Sequence, residues 1–113
     1  MFDTGQGVTL DVAQAMRWYQ LAAAQGNANA YVCIGSMFEN GRGVAQDMVE
    51  AVQLYSFAAA LGDAIAQYNL GYMFAKGRGV GQNMTEAVRC YKLSAANGHE
   101  DARRALKLLR LHD

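Results

Sequence analysis

Gly5, Gly41 and Gly77 stand 36 residues apart, and the same step links Gly7, Gly43 and Gly79, then Val8, Val44 and Val80. It also links Ala15, Ala51 and Ala87, Tyr19, Tyr55 and Tyr91, and Gly26, Gly62 and Gly98. Residues 28–63 and 64–99 align without a gap at 18 identical positions of 36. A repeat this short cannot bury its own apolar face, so a chain built from it must stack its units.

Each unit reads as helix, glycine turn, helix, glycine turn. Ala30, Ile34, Met37 and Phe38 fall at helical spacing on one stripe, and Ala66, Leu70, Met73 and Phe74 repeat them. Gly-Arg-Gly-Val at 41–44 and 77–80 ends these helices, since glycine tolerates the left-handed conformation that closes a helix. The valine is expected to plug the gap between helices. The second helix opens on Asp11-x-x-Gln14, Asp47-x-x-Glu50 and Asn83-x-x-Glu86, a capping signature. Ala51, Val52, Tyr55, Ala58 and Ala59 form its buried face. Asn27, Asp63 and His99 are placed to cap the helix that follows.

Gly35 and Gly71 lie inside first helices, where glycine costs about 1 kcal/mol relative to alanine. A penalty taken at the same position twice implies that neighbouring backbones approach closely there, leaving no room for a side chain.

The sequence therefore predicts an all-α fold, an α-solenoid of antiparallel helix pairs, in one domain over residues 1–113. Residues 1–27 form a partial repeat, 28–63 and 64–99 full repeats, and 100–113 a capping helix: about two and a half 36-residue repeats plus the cap. In the last segment Ala102, Leu106 and Leu109 make one stripe, and Arg103, Lys107 and Arg110 another. Glu100 and Asp101 open this helix and Arg110 closes it, as the macrodipole favours.

Charge is balanced at ten basic and ten acidic residues, so no net field draws nucleic acid or an anionic membrane. The balance hides a dipole along the chain. Residues 1–75 carry two basic and six acidic side chains, and residues 76–113 eight basic and four acidic. No apolar run approaches the roughly 20 residues a membrane helix needs. Two cysteines, Cys33 and Cys90, far apart in sequence, make no disulfide framework and match no zinc spacing. The chain is expected in the cytoplasm, with secretion or a periplasmic place left open because an earlier leader is not visible.

No residue pattern carries catalysis, and neither a cofactor nor a metal is expected. His99 and His112 are the only histidines, and neither is paired at i, i+4 with another ligand type. Cys90 takes the place of Trp18 and Leu54 as a small apolar residue. Cys33 aligns with Asn69 on a more exposed stripe, with no base beside it to lower its pKa. The Gly-x-Gly-Val turns lack the Lys-Ser/Thr pair of a phosphate loop. Arg42 and Arg78 within them are expected at the surface.

Ala66 through Val80 gives A-x-Y-x-L-G-x-M-F-x-x-G-x-G-V, and Glu86 through Gly98 gives E-A-V-x-x-Y-x-x-x-A-A-x-x-G. This pattern resembles the Sel-1-like repeat, a relative of the tetratricopeptide repeat, over residues 1–99. The resemblance implies an adaptor that binds a protein or peptide partner. A cysteine-rich branch of the family is associated with β-lactam binding or hydrolysis, through members with cysteines paired eight residues apart. Here the double-alanine sites Ala59-Ala60 and Ala95-Ala96 hold none, which disfavours that enzyme alternative.

Family resemblance places the first helix of each unit on the concave side. The stripe opposite the apolar one is Asn29, Cys33, Ser36 and Asn40 in one repeat. It is Ile65, Asn69, Tyr72 and Lys76 in the next, and Asp101, Ala105, Leu108 and His112 in the last helix. Tyr31, aligned with Gln67, is a further aromatic expected at the surface. Ile65, Tyr72 and Leu108 would anchor a partner. Met1 and Phe2 align with Met37-Phe38, so the first repeat lacks most of its first helix. Self-association through that open, acidic N-terminal end is the alternative to a foreign partner.

Overall fold

The computed structural model describes Gln14 and residues 17–111. Helix α1 covers 17–24, α2 Ala28–Asn40, α3 Met48–Ala60, α4 Ala64–Lys76, α5 Met84–Ala96 and α6 Glu100–Leu111. There is no strand among the described residues. The extensive interfaces run in chain order, α2 on α3, α3 on α4, α4 on α5 and α5 on α6. The stack is elongated, 49 × 25 × 23 Å. This is the all-α solenoid that the repeat predicts.

Local chemistry sets the helix boundaries. The Asn27 side chain accepts from the Ala30 N–H at 3.2 Å, and Asp63 from Ala66 at 2.9 Å. Asp47 accepts from Glu50 and Asn83 from Glu86, both at 3.0 Å. His99 completes the series, its Nδ1 accepting from the Asp101 N–H at 3.3 Å. Each satisfies a donor of the opening turn and contributes about 1 kcal/mol. The Glu86 carboxylate does not reach back to the cap: the Asn83 N–H bonds to the Phe74 carbonyl at 2.9 Å, and Glu86 holds Arg89 at 2.7 Å instead.

The long turns are duplicates. Gly41 and Gly77 close α2 and α4 in the left-handed region, at φ 66° and 68°. The Arg42 and Arg78 N–H groups bond back to the Met37 and Met73 carbonyls, each at 2.9 Å. Gln46 and Gln82 donate side-chain amides to Glu39 and Ala75 carbonyls, again at 2.9 Å. Orphan carbonyls of the last turn are thereby satisfied without solvent. Val44 and Val80 are half-buried, and Val80 packs on the core as the plug the sequence predicts.

Alanines make the core thin. Ala51, Ala58, Ala66, Ala87 and Ala102 are fully buried, so helix axes come close and the large residues Tyr55 and Met73 fill what is left. The second turn glycine adds a contact between repeats. A Cβ on Gly79 would lie 2.8 Å from Met48 Cβ and closer still to the Met48 carbonyl, at the start of α3. Arg78 joins this contact, with Nη2 3.7 Å from Met48 Sδ. Arg78 is consequently half-buried, whereas Arg42 is exposed as expected.

Candidate partner-binding surface

Helices α2 and α4 each present an outward stripe whose ends are exposed and whose middle is half-buried, while the stripe of α6 is half-buried at Ala105 and exposed at Asp101 and Leu108. Asn29 and Asn40 are exposed on α2, while Cys33 and Ser36 are half-buried. On α4, Ile65 and Lys76 are exposed while Asn69 and Tyr72 are half-buried. Asp101 and Leu108 are exposed on α6; His112 lies outside the described residues. The middle positions are partly shielded because second helices reach them. The Tyr55 hydroxyl lies beside Ser36 and donates to Glu39 Oε1 at 2.7 Å. Burial, then the Glu39 carboxylate, pushes the Tyr55 phenol far above its usual range.

Equivalent positions make different contacts in the two repeats. Asn40 Nδ2 donates to Ser36 Oγ at 3.2 Å and to the Ser36 carbonyl at 2.9 Å. One repeat on, Lys76 Nζ sits 5.9 Å from the Tyr72 ring centre, a cation–π pair worth about 0.5–1 kcal/mol at such exposure. On α6, Asp101 pairs with Arg104 at 3.4 Å. Among the described residues no hydrogen bond or ion pair joins the stripes of α2, α4 and α6 to one another. They are set side by side by the second helices between them, not brought into one cluster.

Cys33 and Tyr31 depart from their expected surroundings. Cys33 stands next to Tyr19 of α1, whose phenol it pushes up in pKa, with Arg42 opposing. Tyr31 is half-buried rather than exposed, its ring 5.5 Å from that of Phe57. Its counterpart Gln67, at 4 % exposure, replaces that aromatic pair with a polar one. Gln67 Nε2 donates to the Ala59 carbonyl at 3.2 Å, and Asn97 Nδ2 donates to Gln67 Oε1 at 3.0 Å. A buried amide needs such partners, so Asn97 is fixed by Gln67.

Gly35 and Gly71 also correct an expectation. The nearest atoms to an added Cβ belong to tyrosine rings rather than to a neighbouring backbone, with Tyr55 Cε1 and Tyr91 Cε1 each at 2.8 Å. Backbone comes second at Gly71, where the Ala87 carbonyl stands at 3.2 Å.

Sequence reasoning passed over a second apolar feature. Leu21, Phe57 and Leu93 occupy one position of successive second helices and are 61, 58 and 43 % exposed. Their signal was the 36-residue step itself, apolar in all three copies. Leu93 borders a cleft of about 350 Å³ between α3, α4 and α5, floored by Leu70, Phe74 and Cys90. Both cysteines are free, and burial pushes the Cys90 thiol up, away from the thiolate a nucleophile needs. Among the described residues no group of three His, Cys, Asp or Glu side chains is placed to hold a metal ion, and no helix is long and apolar enough to cross a membrane. Residues 1–13, on which the expected N-terminal association surface rests, lie outside the described ones.

The Sel1 repeat model matches residues 1–27, 28–63 and 64–99. The chain belongs to the Sel1 repeat family. A Sel1 repeat protein from Oxalobacter formigenes is similar at 37 % identity and TM-score 0.78, over 80 % of this chain and 68 % of that one. Helicobacter pylori cysteine rich protein B is similar at 31 % identity and TM-score 0.77, with 80 % and 68 % covered. The antigen c5321 of uropathogenic Escherichia coli, which displays the same fold, is 39 % identical with TM-score 0.79. There the similarity covers 81 % of this chain but 20 % of the antigen. No curated protein sequence matches the chain. Sel1 repeat proteins generally mediate protein–protein interaction on a mostly non-catalytic scaffold.

Proposed function

We propose that this Sel1 repeat chain is an interaction module that holds an extended or helical segment of a partner protein against the outward faces of α2, α4 and α6. One observation supports this reading most. The inward stripe of α2 recurs in α4, with Ala30, Ile34, Met37 and Phe38 matched by Ala66, Leu70, Met73 and Phe74, whereas the outward positions change from Asn29 to Ile65 to Asp101 and from Asn40 to Lys76. The outward set also exposes apolar surface that the stack does not use, with Ile65 at 50 % and Leu108 at 59 % exposure. Such side chains serve as anchors within a polar surround. An enzyme reading draws nothing from the cysteines, one buried with its thiol pushed up and the other packed beside Tyr19.

The test is a titration. A partner identified by crosslinking in the native host is measured by calorimetry against wild type, Ile65→Asp, Tyr72→Ala and Leu108→Asp. The reading expects each variant to weaken binding while circular dichroism stays unchanged. Equal affinity across all four chains removes it.

A further inference from the structure

The face of α6 that continues the helix-pair packing of the stack is cationic, and it differs from the outward stripe described above. In α2 and α4 the corresponding face receives the second helix of the same repeat. Gly71 lies under the Tyr91 ring, Gln67 takes a hydrogen bond from Asn97, and Phe74 borders the cleft beside Cys90. Stepping by 36 from Gln67, Gly71 and Phe74 leads to Arg103, Lys107 and Arg110. All three are exposed in α6, whose other face buries Ala102 against α5.

Lys107 stands where the tyrosine seat requires glycine. A second helix of this chain's own kind would drive its tyrosine into the lysine stem. The seat keeps the register of a helix-binding face but has exchanged a neutral lining for three cations at i, i+4 and i+7. Among the described residues Arg103 pairs with Glu100 alone, at 3.4 Å in an exposed pair. Lys107 and Arg110 have no ion-pair partner among the described residues.

We infer that this face of α6 docks an acidic helix of a partner protein, with carboxylates spaced to meet Arg103, Lys107 and Arg110. Continuity with the α4–α5 interface dictates a helix, and the charge of the seat dictates its sign.

The probe is a fluorescein-labelled, stapled peptide helix of about four turns, with glutamates at i, i+4 and i+7, read by anisotropy against the full chain. Binding is expected, weakening as salt rises through the range where exposed charges are screened. Arg103→Glu and Lys107→Glu together should weaken it about tenfold or more, and should restore binding to the same helix carrying lysines. Lys92→Glu, an exposed cation on α5 outside the seat, should change it little. Three results overturn the inference: a scrambled peptide or a DNA duplex of equal charge binding as well, unchanged affinity in the double variant, or sedimentation showing that the face pairs two copies of the chain. Because Ile65 and Tyr72 lie outside the seat, their variants separate its failure from that of the outward stripe.

Discussion

The ring of Tyr55 lies in the space that a side chain on Gly35 would need, its Cε1 2.8 Å and its Cδ1 2.9 Å from that position. Twenty residues apart in sequence, the two are one packing unit, and Gly71 with Tyr91 repeats the same two distances. The helix-weakening glycine is tolerated because it lets an aromatic ring enter between paired helices.

Gly35→Ala and Gly71→Ala therefore should each destabilise the fold by about 1–3 kcal/mol, the usual cost of overpacking, despite gaining about 1 kcal/mol in helix propensity. Thermal unfolding checks this. A loss of 1 kcal/mol lowers Tm by about 4 °C in a domain of this size, and a raised Tm contradicts the account.

Tyr55 and Tyr91 differ in one partner. Tyr55 donates to Glu39, whereas the residue equivalent to Glu39 is Ala75. Tyr55→Phe is expected to cost about 1–2 kcal/mol, toward the low end for a bond to a charged group because Glu39 is half-buried. Tyr91→Phe should cost less. Urea denaturation of the two variants reads the difference, and equal losses would remove the role given to Glu39.

Alkaline pH should loosen the stack through the same tyrosines. Burial first, then the neighbouring Tyr68, pushes the Tyr91 phenol from 10.0 to about 12. The folded protein thus holds a proton that the unfolded chain releases near pH 10. This stabilisation is complete below pH 10 and is lost as pH rises towards 12. Burial acts on Tyr55 in the same direction. Melting temperature followed from pH 8 to 12 should fall above 10, and Tyr91→Phe should make the fall shallower.

Two glycines near the second long turn separate close contact from open space. Gly79 presses on Met48, while a Cβ on Gly81 would meet nothing within 4 Å, and Ala45 already occupies its equivalent. Gly79→Ala should destabilise by about 1–3 kcal/mol. Gly81→Ala should be neutral or stabilise by up to about 1 kcal/mol, through the entropy of the unfolded chain. Calorimetric unfolding of both variants decides it, and equal effects would sink the distinction.

The repeat, the helix pairs, the five caps and the left-handed turn glycines are all legible in the chain's local motifs and its 36-residue period. Each depends on residues three or four apart, or on a 36-residue step, so neighbours in the chain carry the whole signal. The outward stripes were legible as positions, because helical periodicity fixes a face. What shares that face was decided only by tertiary structure. It placed Tyr55 and Tyr91 over the glycines, packed Tyr31 on Phe57, gave Gln67 to Asn97 and half-buried Arg78 on Met48. It also left Leu21, Phe57 and Leu93 in solvent. Those outcomes depend on how closely alanine-lined helices approach and at what angle. The hydrophobic pattern of one helix does not encode that separation, since it is set jointly by the side chains of both.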